Sequence, residues 1–171
     1  IGIVGLPNAG KSTLISRLTD ARPKIGDYPF TTLTPTLGVL REGDNTFVMA
    51  DIPGIVEGAA QGRGLGLTFL KHIERTRTLL LVLDVSGVNP VEDYKTLKHE
   101  LASFNKSMVD RARIVVLNKV DKVPEEKAEA WRTALVKKGE EVLTVSALKG
   151  WGIDTVKAMI KKKSFDRVVH A

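Results

Sequence analysis

The sequence predicts an α/β fold in which helices cover both faces of a doubly wound, mostly parallel sheet of six strands. Short apolar runs alternate with segments whose apolar residues recur every three or four positions, which is typical of strands followed by amphipathic helices. Strands are expected at residues 1–5, 37–41, 46–51, 78–84, 113–118 and 141–145, and helices at 11–19, 66–77, 92–106, 125–138 and 152–163. Turn-forming residues 42–45 join the second and third strands, so one edge strand should run antiparallel.

A glycine-rich loop follows the first predicted strand and fits the phosphate-loop pattern G-x-x-x-x-G-K-[ST]. Its glycines allow backbone N–H groups to point inward, and the positive end of the next helix faces the same point. Lys11 adds a charge for the β- and γ-phosphates, and the Ser12 hydroxyl can ligate Mg²⁺. The sequence therefore predicts a site for a nucleoside triphosphate, formed by Gly5, Leu6, Pro7, Asn8, Ala9, Gly10, Lys11 and Ser12.

A second polar loop, at the end of the apolar run 114–117, indicates which base is bound. The carboxylate of Asp121 can accept two hydrogen bonds, and guanine offers N1–H and the 2-amino group side by side, whereas adenine does not. Asn118 can tie this loop to the phosphate loop, and the stem of Lys119 can lie along the base. A later loop can offer a backbone N–H to guanine O6. The predicted base-binding residues are Asn118, Lys119, Val120, Asp121, Ser146, Ala147 and Leu148.

Two further segments are predicted to sense the γ-phosphate. Asp51 ends the apolar run 47–50 and begins a D-x-x-G pattern, in which the aspartate holds the Mg²⁺ shell and the Gly54 N–H approaches the γ-phosphate. A threonine from an aperiodic upstream segment can supply a second protein ligand to Mg²⁺. Thr31 and Thr32 can alternatively be edge-strand threonines. These two switch segments add Phe30, Thr31, Thr32, Leu33, Thr34, Asp51, Ile52, Pro53 and Gly54 to the nucleotide site.

The chain resembles the Obg family of translation-factor-class GTPases, a group with the P-loop NTPase fold. The resemblance depends on DYPFTTLTP at 27–35, DIPGIVEGA at 51–59 and the stretch from QGRGLG at 61–66 to FLKHIER at 69–75. It implies a slow GTPase that acts with the large ribosomal subunit, and it selects Thr32 over Thr31, which makes Ser12, Thr32 and Asp51 the expected Mg²⁺ residues. Because the chain starts inside its first strand without Met, we expect residues 1–171 to be one GTPase domain excised from a longer protein.

The catalytic assignment depends on Ile55, which follows the D-x-x-G pattern. Many related GTPases have a glutamine there to orient the attacking water, and isoleucine has no polar atom for this task. The expected catalytic set is therefore Asn8, Lys11, Thr32 and Gly54. Asn8 is interpreted in two ways, as a residue that helps to hold K⁺ in place of an arginine finger or as a turn former. The expected intrinsic rate is slow, on the order of 10⁻⁴ to 10⁻³ s⁻¹.

Composition limits the partners and the location of the chain. It has no cysteine and therefore no disulfide, and its longest apolar run, 79–83, is much shorter than a membrane span. We expect a cytoplasmic monomer with no membrane contact. The net charge of +6 is compatible with a ribosomal RNA neighbour, but the cations are spread along the chain. The lysines 161–163 close a helix pattern, which favours compensation of the helix dipole over an RNA grip.

Two function classes stay open at this point. The first is an enzyme whose hydrolysis of GTP times a step of large-subunit assembly. The second is a binding module that senses GTP, GDP or a guanosine alarmone and hydrolyses GTP only incidentally. The absence of glutamine at position 55 keeps the second class open.

Overall fold

The computed structural model describes residues 1–19, 24–25, 36–52 and 74–166. The strands are β1 (Gly2–Gly5), β2 (Lys24–Ile25), β3 (Thr36–Glu42), β4 (Asn45–Asp51), β5 (Thr78–Asp84), β6 (Ala112–Asn118) and β7 (Val142–Thr144). The helices are α1 (Lys11–Leu18), α2 (Pro90–Phe104), α3 (Lys106–Val109), α4 (Glu125–Val136) and α5 (Ile153–Asp166), with a 3₁₀ turn at Val120–Lys122. Among these described residues, no helix has both the length and the apolar character that a membrane crossing requires.

The strands form one sheet in the order β2-β3-β4-β1-β5-β6-β7. Strands β4, β1, β5, β6 and β7 are parallel, and β3 runs antiparallel to both β2 and β4. The chain leaves β1 to one side and later returns to β5 on the other, so the order reverses at β1. In open α/β sheets, ligands bind at the carboxyl edge beside such a reversal.

The predicted α/β class and the mostly parallel sheet are confirmed, with one difference at the edge. The predicted hairpin is present, and Glu42 pairs with Asn45 across a turn in which Gly43 has a φ of 59°. A seventh strand, Lys24–Ile25, pairs with the outer side of β3. The predicted antiparallel edge strand is therefore second from the edge, because two residues are too few to show a strand period in the sequence.

Alternate residues of the central strands pack against opposite layers of helices. Leu79, Leu81 and Leu83 belong to a buried cluster with residues of α2 and α4. Leu80 and Val82 belong to a second cluster with residues of α1 and α5. Because successive side chains of a strand point to opposite faces, this alternation places helices on both faces of the sheet, as predicted.

The helix boundaries follow from capping side chains. Helix α2 begins two residues before the predicted start because Asn89 Oδ1 accepts hydrogen bonds from the N–H groups of Val91 and Glu92, at 3.1 and 3.2 Å. It ends before Asn105, whose own Oδ1 accepts from the Ser107 N–H at 2.9 Å and starts α3. The helix predicted at 66–77 lies outside the described residues up to position 73, and residues 76–77 are not helical.

Candidate functional site

The loops predicted to bind a nucleotide meet at the carboxyl edge of the parallel strands. The loop after β1, the loop after β6 and the loop after β7 contact one another through side chains described below. Asp51 lies at the end of β4, which pairs with β1 so that Ile3 and Asp51 are in register. The topology therefore brings four separate segments of the chain to one point beside the β1 reversal.

Two residues of the phosphate loop have the left-handed backbone that is found in anion nests. Asn8 and Gly10 have φ values of 63° and 95°, both in the left-handed region, and α1 begins directly after Gly10. A Cβ added at Gly10 would lie 2.3 Å from Asn118 Nδ2, so the glycine also permits the close approach of the base loop. Lys11 Nζ donates to the Gly5 carbonyl oxygen at 2.7 Å, which keeps the ammonium group against the loop.

Asn118 joins the phosphate loop to the loop after β7. Its side chain is buried, its Nδ2 donates to the Ala9 carbonyl oxygen at 2.9 Å, and its Oδ1 accepts from the Ala147 N–H at 3.0 Å. One amide thus spans two loops that are far apart in sequence. The sequence predicts that a backbone N–H of Ser146 or Ala147 faces guanine O6. In this structure the Ala147 N–H donates to Asn118, and the Ser146 N–H donates to the Trp151 carbonyl oxygen at 3.1 Å.

Lys119 crosses the site in a conformation that non-glycine residues rarely adopt. Its φ is 68°, and its Nζ donates to the Asn8 carbonyl oxygen at 2.5 Å and to Asp84 Oδ2 at 2.7 Å. Burial raises the pKa of Asp84, but hydrogen bonds from Lys119 and Ser86 outweigh this effect, so the pKa lies below its ordinary value. Asp84 therefore remains charged and holds the Lys119 ammonium group beside the phosphate loop.

Asp121 and Ser146 form the polar end of the base site. Ser146 is fully buried, and its Oγ donates to Asp121 Oδ1 at 2.6 Å and accepts from the Lys149 N–H at 3.1 Å. This contact aims the carboxylate while leaving lone pairs on both oxygens for further donors. Val120 lies in the 3₁₀ turn that carries Asp121, and Leu148 is 62% exposed beside the loop.

Arg17 and Asp84 belong to this site although no motif in the sequence singles them out. Arg17, on α1, donates from Nε to the Ala147 carbonyl oxygen at 2.9 Å and from Nη2 to the Leu148 carbonyl oxygen at 2.7 Å. Both residues act on groups that are distant in sequence. Asp84 could have been found in the sequence because it ends an apolar run at the carboxyl end of a strand.

Asp51 provides the observation that fits a divalent cation. Among the described residues, its buried Oδ1 has no hydrogen-bond partner, and burial raises the pKa of the carboxyl group while the charge of Lys11 lowers it. A buried carboxylate oxygen without a partner is suited to the hydration shell of Mg²⁺. Within the same described ranges there is no group of three or more His, Asp or Glu side chains that could hold a metal. Further ligands would therefore be hydroxyl groups, such as that of Ser12, and phosphate oxygens.

Several predicted site residues lie outside the described part of the chain. They are Phe30, Thr31, Thr32, Leu33, Thr34, Pro53 and Gly54, together with Ile55. Ile52 is described and is buried in the core cluster on the α2 face.

Comparisons with known proteins find a matching family model and similar proteins. The family model described as "50S ribosome-binding GTPase" matches residues 1–119. A protein named GTPase Obg from Chlorobaculum tepidum is 51% identical over 158 residues, which is 92% of this chain and 46% of that protein. GTPase Obg of Microcystis aeruginosa is 50% identical over 163 residues, 94% of this chain and 47% of that protein. This chain thus spans about half the length of these relatives.

Solved structures show the same fold. The G domain of the T. maritima FeoB iron transporter has a TM-score of 0.71 and 24% identity, and the alignment covers 95% of this chain and 96% of that domain. A point mutant of Aquifex aeolicus Era bound to GDP and aluminium fluoride has a TM-score of 0.68 and 26% identity, covering 95% of this chain and 55% of that chain.

Proposed function

Because this chain belongs to the family of 50S ribosome-binding GTPases, we propose that it binds GTP with Mg²⁺ at the edge described above and hydrolyses it slowly. The similarity to proteins named GTPase Obg confirms the family resemblance inferred from the sequence. The observation that carries the proposal is the position of Asn118, whose side chain joins Ala9 of the phosphate loop to Ala147 of the base loop. A nucleotide whose phosphates lie on the first loop would have its base beside the second.

Guanine would be selected by Asp121. Its carboxylate, aimed by Ser146, can accept from N1–H and the 2-amino group together, and adenine lacks this pair of donors. Lys119 would cover one side of the base with its aliphatic stem while its ammonium group stays on Asp84. The same residues would bind GDP, because none of them faces the γ-phosphate.

Magnesium would be held by Ser12, Asp51 and Thr32, together with phosphate oxygens. When bound, the ion would neutralise charge that develops on the phosphate oxygens. Asp51 supports this assignment through its buried, unpartnered oxygen, and Thr32 is assigned by family resemblance alone. Gly54 would contact the γ-phosphate through its N–H, so this contact would be lost after hydrolysis.

Slow hydrolysis is proposed because Ile55 cannot orient a water molecule. Lys11 would stabilise charge on the transferring phosphate. The left-handed backbone of Asn8 supports its role as a turn former. A contribution of Asn8 to a K⁺ site is a second hypothesis, and equal turnover in KCl and NaCl would contradict it.

The cellular role we propose is a nucleotide-controlled switch in the assembly of the large ribosomal subunit in the cytoplasm. The name of the matched family, which refers to the 50S subunit, supports this role. The alternative is a module that senses GTP, GDP or an alarmone, and the missing glutamine at position 55 favours it. In both cases the nucleotide site is the same.

The test separates nucleotide binding from the two roles. A fluorescent GDP analogue should bind this chain, and GTP and GDP should displace it, whereas ATP should not. EDTA should lower the affinity for GTP more than the affinity for GDP. Addition of purified 50S subunits should then accelerate GTP hydrolysis if the chain is an assembly enzyme. Subunit binding that depends on the nucleotide without acceleration would favour the sensing module, and equal displacement by ATP would exclude both.

A further inference from the structure

A groove of about 410 Å³ lies at the edge of the sheet opposite the nucleotide site. It is bordered by the start of β4, by residues 75–78 leading into β5 and by the end of α5. Strands β4 and β5 begin here and end at the nucleotide edge, so the groove and the nucleotide site occupy opposite ends of the sheet. The residues that give it its chemistry are Thr46, Phe47, Arg75, Arg77, Lys163 and Phe165.

The groove collects positive charge from segments that are far apart in sequence. Arg75 and Arg77 are exposed and two positions apart, and Lys163 comes from the end of α5. Among the lining residues that the structure describes, none is Asp or Glu. Lys163 Nζ lies 2.5 Å from Oε2 of Glu141, an acidic residue outside the lining. The described part of the lining carries three cationic side chains and no carboxylate, so this part of the groove is basic.

Aromatic rings also line the groove. Phe165 is 44% exposed near the end of α5, and Phe47 is half-buried on β4. The backbone between the arginines is held in place, because Arg111 Nη1 donates to the Thr76 carbonyl oxygen at 2.6 Å and to Thr76 Oγ1 at 3.0 Å. The spacing of Arg75 and Arg77 is thus set by the structure.

We infer that this groove binds single-stranded RNA, with phosphates on Arg75, Arg77 and Lys163 and a base stacked on Phe165. Positive grooves with exposed aromatic rings are the general means by which proteins hold single strands. The Thr46 hydroxyl, which also lines the groove, can donate to phosphate. The Ser164 hydroxyl donates to the Ile160 carbonyl oxygen at 2.8 Å and can accept from a ribose 2′-hydroxyl. This inference rests on the proposed function, since a 50S-associated protein would meet single-stranded loops of ribosomal RNA.

An acidic peptide is the competing partner for a basic groove. Its carboxylates would bind the arginines, but nothing in an acidic peptide would require an exposed phenylalanine ring in the same groove. The aromatic surface therefore favours a nucleic acid. Polyaspartate of similar charge serves as the comparison for this alternative.

The experiment measures the fluorescence anisotropy of a labelled oligoadenylate of about ten nucleotides with this chain at several salt concentrations. Arg75→Ala and Lys163→Ala should each weaken binding severalfold and lower the slope of log K against log salt by about 0.7. The matched control is Lys162→Ala, because Lys162 is the exposed neighbour of Lys163 and does not line the groove. This control should leave both quantities near those of the parent chain.

Stacking is tested separately with Phe165. Phe165→Leu should weaken oligoadenylate binding without changing the salt slope, whereas Phe165→Tyr should retain binding because it keeps a flat ring. Circular dichroism establishes that each variant is folded. The inference would be overturned if Lys162→Ala lowered the affinity for oligoadenylate as much as Lys163→Ala does. It would also be overturned if polyaspartate bound as tightly as the RNA.

The same variants distinguish this inference from the proposed function. Their affinity for GDP should equal that of the parent chain, because the groove lies at the other end of the sheet. Failure of the parent chain to bind guanine nucleotides would refute the proposed function, and the RNA-binding measurement could still be interpreted by itself. Normal GDP binding with no RNA binding would refute only the groove assignment.

Discussion

Arg17 on α1 binds the backbone of Ala147, 130 positions later in the chain, through a hydrogen bond of 2.9 Å from its Nε. The same guanidinium reaches the next carbonyl, that of Leu148, at 2.7 Å. Helix α1 begins directly after Gly10, so this pair of bonds connects the proposed phosphate-binding element to the proposed base-binding loop. Two donors from one planar group fix both the distance and the orientation of that loop.

Arg17→Ala should therefore weaken GDP binding by about tenfold, which corresponds to about 1.4 kcal/mol. The base loop would lose two charged hydrogen bonds, and the free energy needed to order it would then come from nucleotide binding. Arg17→Lys should recover part of the affinity because an ammonium group can reach one carbonyl at a time. Calorimetric titration with GDP measures both.

A control for Arg17 is Arg132→Ala, which removes a half-buried arginine that pairs with Glu129 on the same helix, at 3.0 Å. This change should leave GDP affinity unaffected. Pyrophosphate affinity, in turn, should be the same for the Arg17→Ala chain and its parent, because pyrophosphate has no base. A loss of pyrophosphate binding equal to the loss for GDP would mean that Arg17 acts on the phosphate loop instead.

Asp121→Asn should shift preference from guanosine to xanthosine nucleotides. The amide presents a donor where the carboxylate accepted, and xanthine has an oxygen in place of the 2-amino group. Competition of GDP and XDP for a fluorescent nucleotide gives the ratio of affinities. The Ser146 contact, at 2.6 Å from Asp121 Oδ1, can be kept by the Asn side-chain oxygen, so the variant should fold. Unchanged preference for guanine would remove Asp121 from the base site.

Asp51→Asn should lower the affinity for Mg²⁺–GTP and at the same time stabilise the nucleotide-free chain. Burial raises the pKa of Asp51, so the charged carboxylate costs folding free energy above that pKa. This cost disappears as pH falls through the raised pKa of Asp51. Mg²⁺ binding should weaken over the same pH range, because a proton then occupies the carboxylate in place of the ion. Thermal unfolding with and without Mg²⁺–GTP across this pH range measures both effects. An Asp51→Asn chain that is less stable than its parent without nucleotide would contradict this account.

The fold and much of the site can be predicted from local sequence patterns. Apolar runs of strand length can be recognised because each depends on residues that are adjacent in the chain. The residues directly after these runs, such as Asp51 and Asn118, can be located for the same reason. The α/β class inferred in this way is confirmed. The hairpin turn at Gly43 is recognisable for the same reason, since turn geometry depends on adjacent residues.

The features that the sequence does not predict depend on distant contacts. Arg17 belongs to no motif because its acceptors are carbonyl oxygens, which every residue has. Asp84 is recognisable as functional only when Lys119 is seen beside it. Likewise, the position of Lys163 at a helix end predicts only a compensating charge, and the sheet is what places it near Arg75. Strand β2 is too short to produce a periodic signal.

Glu140 provides the last prediction, and it concerns stability. This carboxylate is 6% exposed and accepts from Arg113 Nε at 2.8 and 2.9 Å, from Arg113 Nη2 at 2.7 Å, and from the Tyr94 hydroxyl. Burial raises the pKa of Glu140, but these hydrogen bonds outweigh it, so the pKa lies below its ordinary value. The ionised group therefore stabilises the fold above its unfolded pKa, and this stability is lost as pH falls through the lowered folded pKa.

Glu140→Gln should lower the free energy of unfolding by about 3 kcal/mol at neutral pH, because it leaves Arg113 without its buried counter-charge. Urea denaturation at neutral pH and at a pH below the folded pKa measures the effect, and the difference between variant and parent should shrink in acid. The double variant Glu140→Met with Arg113→Met removes both charges together and should recover much of the lost stability. A double variant as unstable as Glu140→Gln would show that packing around Tyr94, and not the ion pair, determines stability at this position.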